Sequence, residues 1–113
     1  MFERFNVKDI IAINRQFDDG EVVNYGSLEF AVDRANRSGS WLRSCAYLVR
    51  AILIDHVFKE GNKRTAAAVI VAFLEEQDVQ YHPEQVARSI AKILMKNITS
   101  ITHIERVIKD AIV

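Results

Sequence analysis

The sequence predicts an all-α bundle, and three observations carry that expectation. Only four glycines and one proline are spread over 113 residues, too few to turn the many corners of a sandwich or barrel. Apolar residues recur at three- and four-residue steps along most of the chain, the signature of one helical face. The longest apolar run, Ala66 to Leu74, is nine residues, where a membrane span needs about 20. Half of the residues are apolar, which suits one hydrophobic core in a single domain over residues 1–113.

The elements follow in order. Asn6 can cap a first helix over 7–17, with Ile10, Ile11, Ile13 and Phe17 as its apolar stripe, and Asp18-Asp19-Gly20 ends it. Residues 21–26 are β-branched and broken by Gly26, which reads as a short extended segment. Ser27 can cap a short helix over 28–36. Ser40 then caps a long one from Trp41 to about Val57, with Leu42, Cys45, Ala46, Val49, Ile52 and Leu53 facing inward and His56 continuing that face. A helix from Lys63 to about Gln77 contains the apolar run, apolar on every face, and is expected to be the central buried helix. Pro83 opens an amphipathic helix over 83–96, Asn97 interrupts, and a last helix covers 101–112.

Composition also excludes classes of function. Fifteen basic residues balance fifteen acidic ones, so no polycationic face for direct nucleic-acid binding is expected. The single cysteine, Cys45, can form neither an internal disulfide nor a zinc site by itself, and His103 has no Cys or second His at ligand spacing. The glycine-rich phosphate loop Gly-x-x-x-x-Gly-Lys-(Ser/Thr) is absent. Met1-Phe2-Glu3-Arg4-Phe5 lacks the apolar stretch of a signal peptide. A cytoplasmic protein without membrane attachment is expected.

The chemically informative stretch is His56-Val57-Phe58-Lys59-Glu60-Gly61-Asn62-Lys63-Arg64-Thr65. It leads through a tight loop into a helix N-terminus, where unpaired backbone N–H groups attract anions. Gly61 permits close backbone approach, Asn62 tolerates a turn, and Lys63 and Arg64 add positive charge, so the site suits phosphate. Glu60 beside an anion site is explained by magnesium, which takes one or two carboxylates and completes its shell with phosphate oxygens and water. His56 is a suitable general base for a hydroxyl nucleophile. Taken singly, each residue also has an ordinary structural explanation, as a helix cap, a helix stop or a solvated charge.

The stretch resembles the signature of the Fic/Doc family, His-Pro-Phe-x-(Asp/Glu)-Gly-Asn-(Gly/Lys)-Arg, with Val57 in place of proline. Residues 7–14 and 27–32 also look like the first helix and the pre-motif region of Doc-type (death-on-curing) members, so the resemblance covers nearly the whole chain. It implies a compact helical bundle in which His56 deprotonates a target hydroxyl, Glu60 binds magnesium, and Gly61, Asn62, Lys63 and Arg64 cradle the nucleotide phosphates. Phe58 would be a buried anchor. A flap before the motif would pair with an extended target segment, and Val22, Val23, Asn24 and Tyr25 are the candidates for it.

Lys63 stands where most AMP-transferring members carry glycine, and Ala67 where they often carry a second arginine. Both features resemble the Doc branch, implying transfer of the γ-phosphate of ATP to a Ser or Thr hydroxyl of a target protein such as a translation factor. The alternatives are protein adenylylation with the same base and metal, and a helical interaction module that kept the loop but lost catalysis. The autoinhibitory sequence (Ser/Thr)-x-x-x-Glu-(Gly/Asn) is not found, Glu29 and Glu105 lacking the required neighbours. The resemblance therefore implies an antitoxin protein acting in trans.

Overall fold

Local capping accounts for where most of the helices start. The computed structural model describes residues 5–113; residues 1–4, part of the N-terminal stretch expected to lack a signal peptide, lie outside it. Among the described residues six helices follow one another: α1 (Val7–Asn14), α2 (Tyr25–Arg37), α3 (Trp41–Leu53), α4 (Asn62–Glu76), α5 (Pro83–Met95) and α6 (Ile101–Lys109). The all-α expectation holds. Asn6 closes a reciprocal capping box with Asp9, and Ser40 and Ser100 accept from the third residue of their helices, each such cap satisfying an orphan N–H. Pro83 occupies the first turn of α5, where its missing N–H costs nothing. Asn97 leaves α5 in the left-handed conformation, φ 48°.

Four boundaries differ from expectation by more than one residue, and tertiary contacts explain three of them. The α1 helix stops at Asn14 rather than Phe17, because the chain tightens into i→i−3 bonds from Gln16 to Ile13 and from Phe17 to Asn14. The α2 helix begins at Tyr25 and takes Gly26 into its first turn. Its cap is Asn24, which accepts from the Ser27 N–H, while the Ser27 hydroxyl donates to the Asp55 carboxylate instead. The α3 helix ends at Leu53, not Val57, because Asp55 is held from outside the helix by Asn24 and Ser27, with Arg50 of α3 itself joining them on its carboxylate. The α6 helix ends at Lys109, and the chain beyond it pairs with residues 80–82. There Tyr81 and Ile112 form an antiparallel bridge, and His82 N–H donates to Ala111 O at 2.8 Å.

The central helix is α3, not α4 as expected. No residue of α3 is fully exposed, and it packs against α2, α4 and α6. By contrast α4 leaves Ala72 exposed and Ala67, Ala68 and Val71 half-buried, with α1 on one side and α5 on the other. The polar residues of α3 tolerate this position because each has a partner. Ser44 Oγ donates to Ala35 O at 2.7 Å, Arg43 pairs with Glu105 at 2.6 Å, and Arg50 Nε donates to Thr99 O at 2.8 Å. Ser44 is buried, and a hydroxyl so satisfied costs little, while both arginines stay partly exposed.

The buried apolar side chains form one continuous cluster, with Leu48, Ile52, Ile70, Leu74, Ile93, Ile104 and Ile108 among its largest members. The radius of gyration of the Cα atoms is 12.6 Å, close to the roughly 13 Å of a compact chain of this length. Among the described residues no helix is long and apolar enough to cross a membrane.

Cys45 lies wholly inside this core, and burial raises its thiol above the ordinary range. Thiolate is the reactive form, so native Cys45 is expected to resist iodoacetamide at pH 8 and to react fully in denaturant. Mass spectrometry of the labelled chain reads both.

Candidate functional site

The motif loop leaves α3 at Leu53 and enters α4 at Asn62, and its backbone is tied down on three sides. Asn62 clamps it internally, its Oδ1 accepting from Phe58 N–H at 3.1 Å and its Nδ2 donating to Phe58 O at 2.8 Å. Residues 21–24 run antiparallel behind it, with Val22 bridged to Phe58, Val23 N–H donating to Val57 O at 2.8 Å and Lys59 N–H donating to Glu21 O at 3.0 Å. Val57 and Phe58 are buried beneath the loop, as expected for the Phe58 anchor.

The third tie is Asn14, buried at the end of α1 with 1% exposure. Its Nδ2 donates to Glu60 O at 3.0 Å and to Thr65 Oγ1 at 2.9 Å, and its Oδ1 accepts from Gly20 N–H at 2.8 Å. The Thr65 hydroxyl in turn donates to Gly61 O at 2.7 Å. Residue-level sequence reasoning gave Asn14 no role, since a polar residue on the first helix carries no local sign that it is buried.

The tied loop delivers its side chains to a cavity of about 510 Å³. His56, Glu60, Gly61, Asn62, Lys63 and Arg64 all line it, joined by Phe17 and Asp18 from the turn after α1, Leu53 from α3 and Leu94 from α5. Every residue expected to act as base, metal ligand or phosphate cradle thus meets in one hollow. The expectation that His56 continues the inward face of α3 is corrected. That helix has already ended, and a left-handed backbone at His56, φ 49°, leaves the residue exposed. Non-glycine residues seldom adopt this conformation, and here it separates a polar side chain from a buried helix face.

Gly61 is the N-cap of α4 with φ 77°, and no side chain caps this helix. Its first intrahelical bond runs from Thr65 N–H to Gly61 O at 2.9 Å. The N–H groups of Asn62, Lys63 and Arg64 therefore have no acceptor within the helix, and they stand beside two exposed cations. Electrostatically this arrangement favours an anion.

Asp18 is a further site residue that sequence reasoning treated only as a helix stop. Its carboxylate accepts from Asp19 N–H at 2.9 Å and lies close to Gly61, so two carboxylates, Asp18 and Glu60, border the anion site. No group of three or more His, Cys, Asp or Glu able to hold a metal alone occurs among the described residues. Two hard oxygen ligands fit magnesium, provided phosphate oxygens and water complete its shell.

The flap residues are placed differently. Tyr25 belongs to α2, which removes it from an extended flap, and Asn24 serves as the cap of that helix while donating to Asp55 O at 3.1 Å. Val22 and Val23 are extended but lie against the motif loop, and none of these four residues borders the cavity.

Compared with known proteins, the chain matches no family model, no curated protein and no solved structure.

Two substitutions test the ties. A Cβ at Gly61 would stand 3.1 Å from Asn14 Nδ2 and 3.3 Å from Asp18 Cβ in a left-handed backbone, so Gly61→Ala is expected to cost about 1–2 kcal/mol. Asn14→Ala strands the Gly20 N–H and Glu60 carbonyl and is expected to cost about 2–4 kcal/mol. Urea unfolding with an unchanged m-value measures both.

Proposed function

We propose that the chain is a nucleotide-dependent, protein-modifying transferase that moves the γ-phosphoryl group of ATP onto a Ser or Thr hydroxyl of another protein. The observation that carries this reading is the convergence of His56, Glu60, Lys63 and Arg64 on one cavity beside the uncapped N-terminus of α4. The resemblance of the motif to the Doc branch supports it.

In this mechanism His56 accepts the proton of the target hydroxyl while that oxygen bonds to the γ-phosphorus. The bond from the γ-phosphorus to its bridging oxygen breaks, ADP leaves, and His56 returns its proton to solvent. Lys63, Arg64 and the first N–H groups of α4 hold the phosphate oxygens and stabilise the charge that gathers on them. Glu60, with Asp18 on the same cavity, would hold magnesium, which when bound would neutralise phosphate charge. The left-handed turn at His56 and the Asn62 clamp do the positioning; in reactions of this kind, positioning and electrostatics supply most of the rate. No covalent intermediate with the protein is needed.

A translation factor is the acceptor class that the resemblance implies, with a separate protein inhibitor restraining the activity in the cytoplasm. Glu105, considered as an internal inhibitory residue, is engaged by Arg43, which is consistent with inhibition in trans.

Purified protein with magnesium and γ-labelled ATP is expected to label a protein in a cell lysate, while α-labelled ATP is not. The reverse pattern would establish AMP transfer instead. The His56→Ala variant is expected to lose labelling by about 100-fold or more with its circular dichroism unchanged. Labelling that survives this change would sink the enzyme reading and favour an interaction module.

A further inference from the structure

The left-handed backbone of His56, φ 49°, is one that non-glycine residues keep only where surrounding contacts over-determine it. Its imidazole makes no hydrogen bond among the described residues, so no partner steers the ring and the backbone sets where its Cβ points. The contacts that fix this backbone converge on Asn24. Its side-chain Nδ2 donates to Asp55 O at 3.1 Å, and its backbone N–H donates to Val57 O at 3.2 Å. These two carbonyls stand on either side of the His56–Val57 pair, so Asn24 straddles the turn and pins a peptide plane at each end. Val23 N–H shares the Val57 carbonyl at 2.8 Å, whereas the Asp55 carbonyl has no second donor among the described residues.

The same carboxamide is engaged at its other end. Its Oδ1 accepts from Ser27 N–H at 3.3 Å and caps α2. A carboxamide carries its donors and its acceptor on one planar group, so the start of α2 and the turn at His56 are held together by one side chain. Asn24 borders no part of the candidate cavity. It can reach the chemistry only through His56.

On the reading of His56 as the general base, we propose that Asn24 is its positioning residue, the strap that aims the imidazole at the acceptor hydroxyl. The Nδ2 donor, not the Oδ1 cap, carries this role. Without the donor the Asp55–His56 peptide plane is free to rotate. His56 then relaxes towards the backbone regions that non-glycine residues prefer, and the ring swings away from its place in the cavity. A general base must come within about 3.2 Å of the group it deprotonates, so a small swing removes the base. Lys63, Arg64 and the N-terminus of α4 stay where they are.

Two substitutions separate the donor from the cap. Asn24→Ser keeps a good N-cap oxygen but is too short to hold the Asp55 carbonyl, and Asn24→Ala loses both contacts. Thermal melts are expected to place the serine variant near wild type and the alanine variant below it. The initial rate of labelling of a fixed amount of cell lysate at saturating γ-labelled ATP is expected to fall about tenfold or more in both variants. The half-saturating ATP concentration is expected to stay within about twofold of wild type, because the cradle is untouched. A readout independent of activity is the pair of Cα and Cβ chemical shifts of His56 in 13C-labelled protein, which report its backbone region. Both variants are expected to move them away from the wild-type values.

A folded serine variant with wild-type labelling and unmoved His56 shifts overturns the proposal and leaves Asn24 a helix cap. A slower rate with unmoved shifts overturns it too, as does a loss of ATP affinity that matches the loss of rate, since the effect then lies on the cradle. If alanine prevents folding, the serine variant alone decides. A wild-type chain that labels no protein overturns the transferase reading and the positioning role with it, whereas moved shifts in that case show only that Asn24 holds the turn.

Discussion

One buried amide, that of Asn14, couples parts of the chain that have no sequence proximity. It closes the end of α1 and holds the turn at Gly20, the motif loop at Glu60 and the first turn of α4 at Thr65. A carboxamide offers two donor hydrogens and two acceptor lone pairs, and three of these four are engaged here. Water cannot substitute at 1% exposure, so the loop and the helix must sit where this side chain can reach them. The two carboxylates bordering the anion site lie on segments that Asn14 joins, Asp18 in the turn it closes and Glu60 at the carbonyl it binds.

A second polar network works on the other side of the motif. Asp55 receives the Ser27 hydroxyl and the Arg50 guanidinium on its carboxylate, and the Asn24 amide on its carbonyl. Arg50 continues to Thr99 O before α6. These contacts lie at the end of the central helix, immediately before His56 takes its left-handed backbone. The motif is thus bracketed, with Asp55 fixed before the histidine and Asn14 fixing the loop after it. Between the brackets His56, Lys59 and Glu60 remain exposed, while Val57 and Phe58 are buried. A rigid scaffold presenting a short exposed loop is a common arrangement for chemistry that depends on positioning.

The limits of reading this fold from its sequence follow from these two networks. The caps at Asn6 and Ser40 and the proline at the start of α5 were legible, because each acts within four residues of itself. The start of α2 and the end of α3 were not, because Asp55 draws Asn24 and Ser27 to it from about thirty residues away. The apolar run of α4 suggested a central helix, yet α3 holds that place. Its Arg43, Ser44 and Arg50 look like surface residues in the sequence, yet Ser44 is buried on Ala35 O, and the two partly exposed arginines reach Glu105 and Thr99 on other elements. The flap expectation failed in part for a similar reason, since Asn24 and Tyr25 were taken up by a helix whose cap lies three residues earlier than Ser27.

By itself the sequence determined the helical class and the contiguous set from His56 to Arg64. Both are local properties, one of spacing along a helix and the other of nine consecutive positions. Only the tertiary structure decided which helix is central, that His56 leaves the inward face, and that Asp18 and Asn14 belong to the site. Those outcomes depend on buried polar groups finding partners far along the chain, and an isolated stretch of sequence carries no record of who its partner will be.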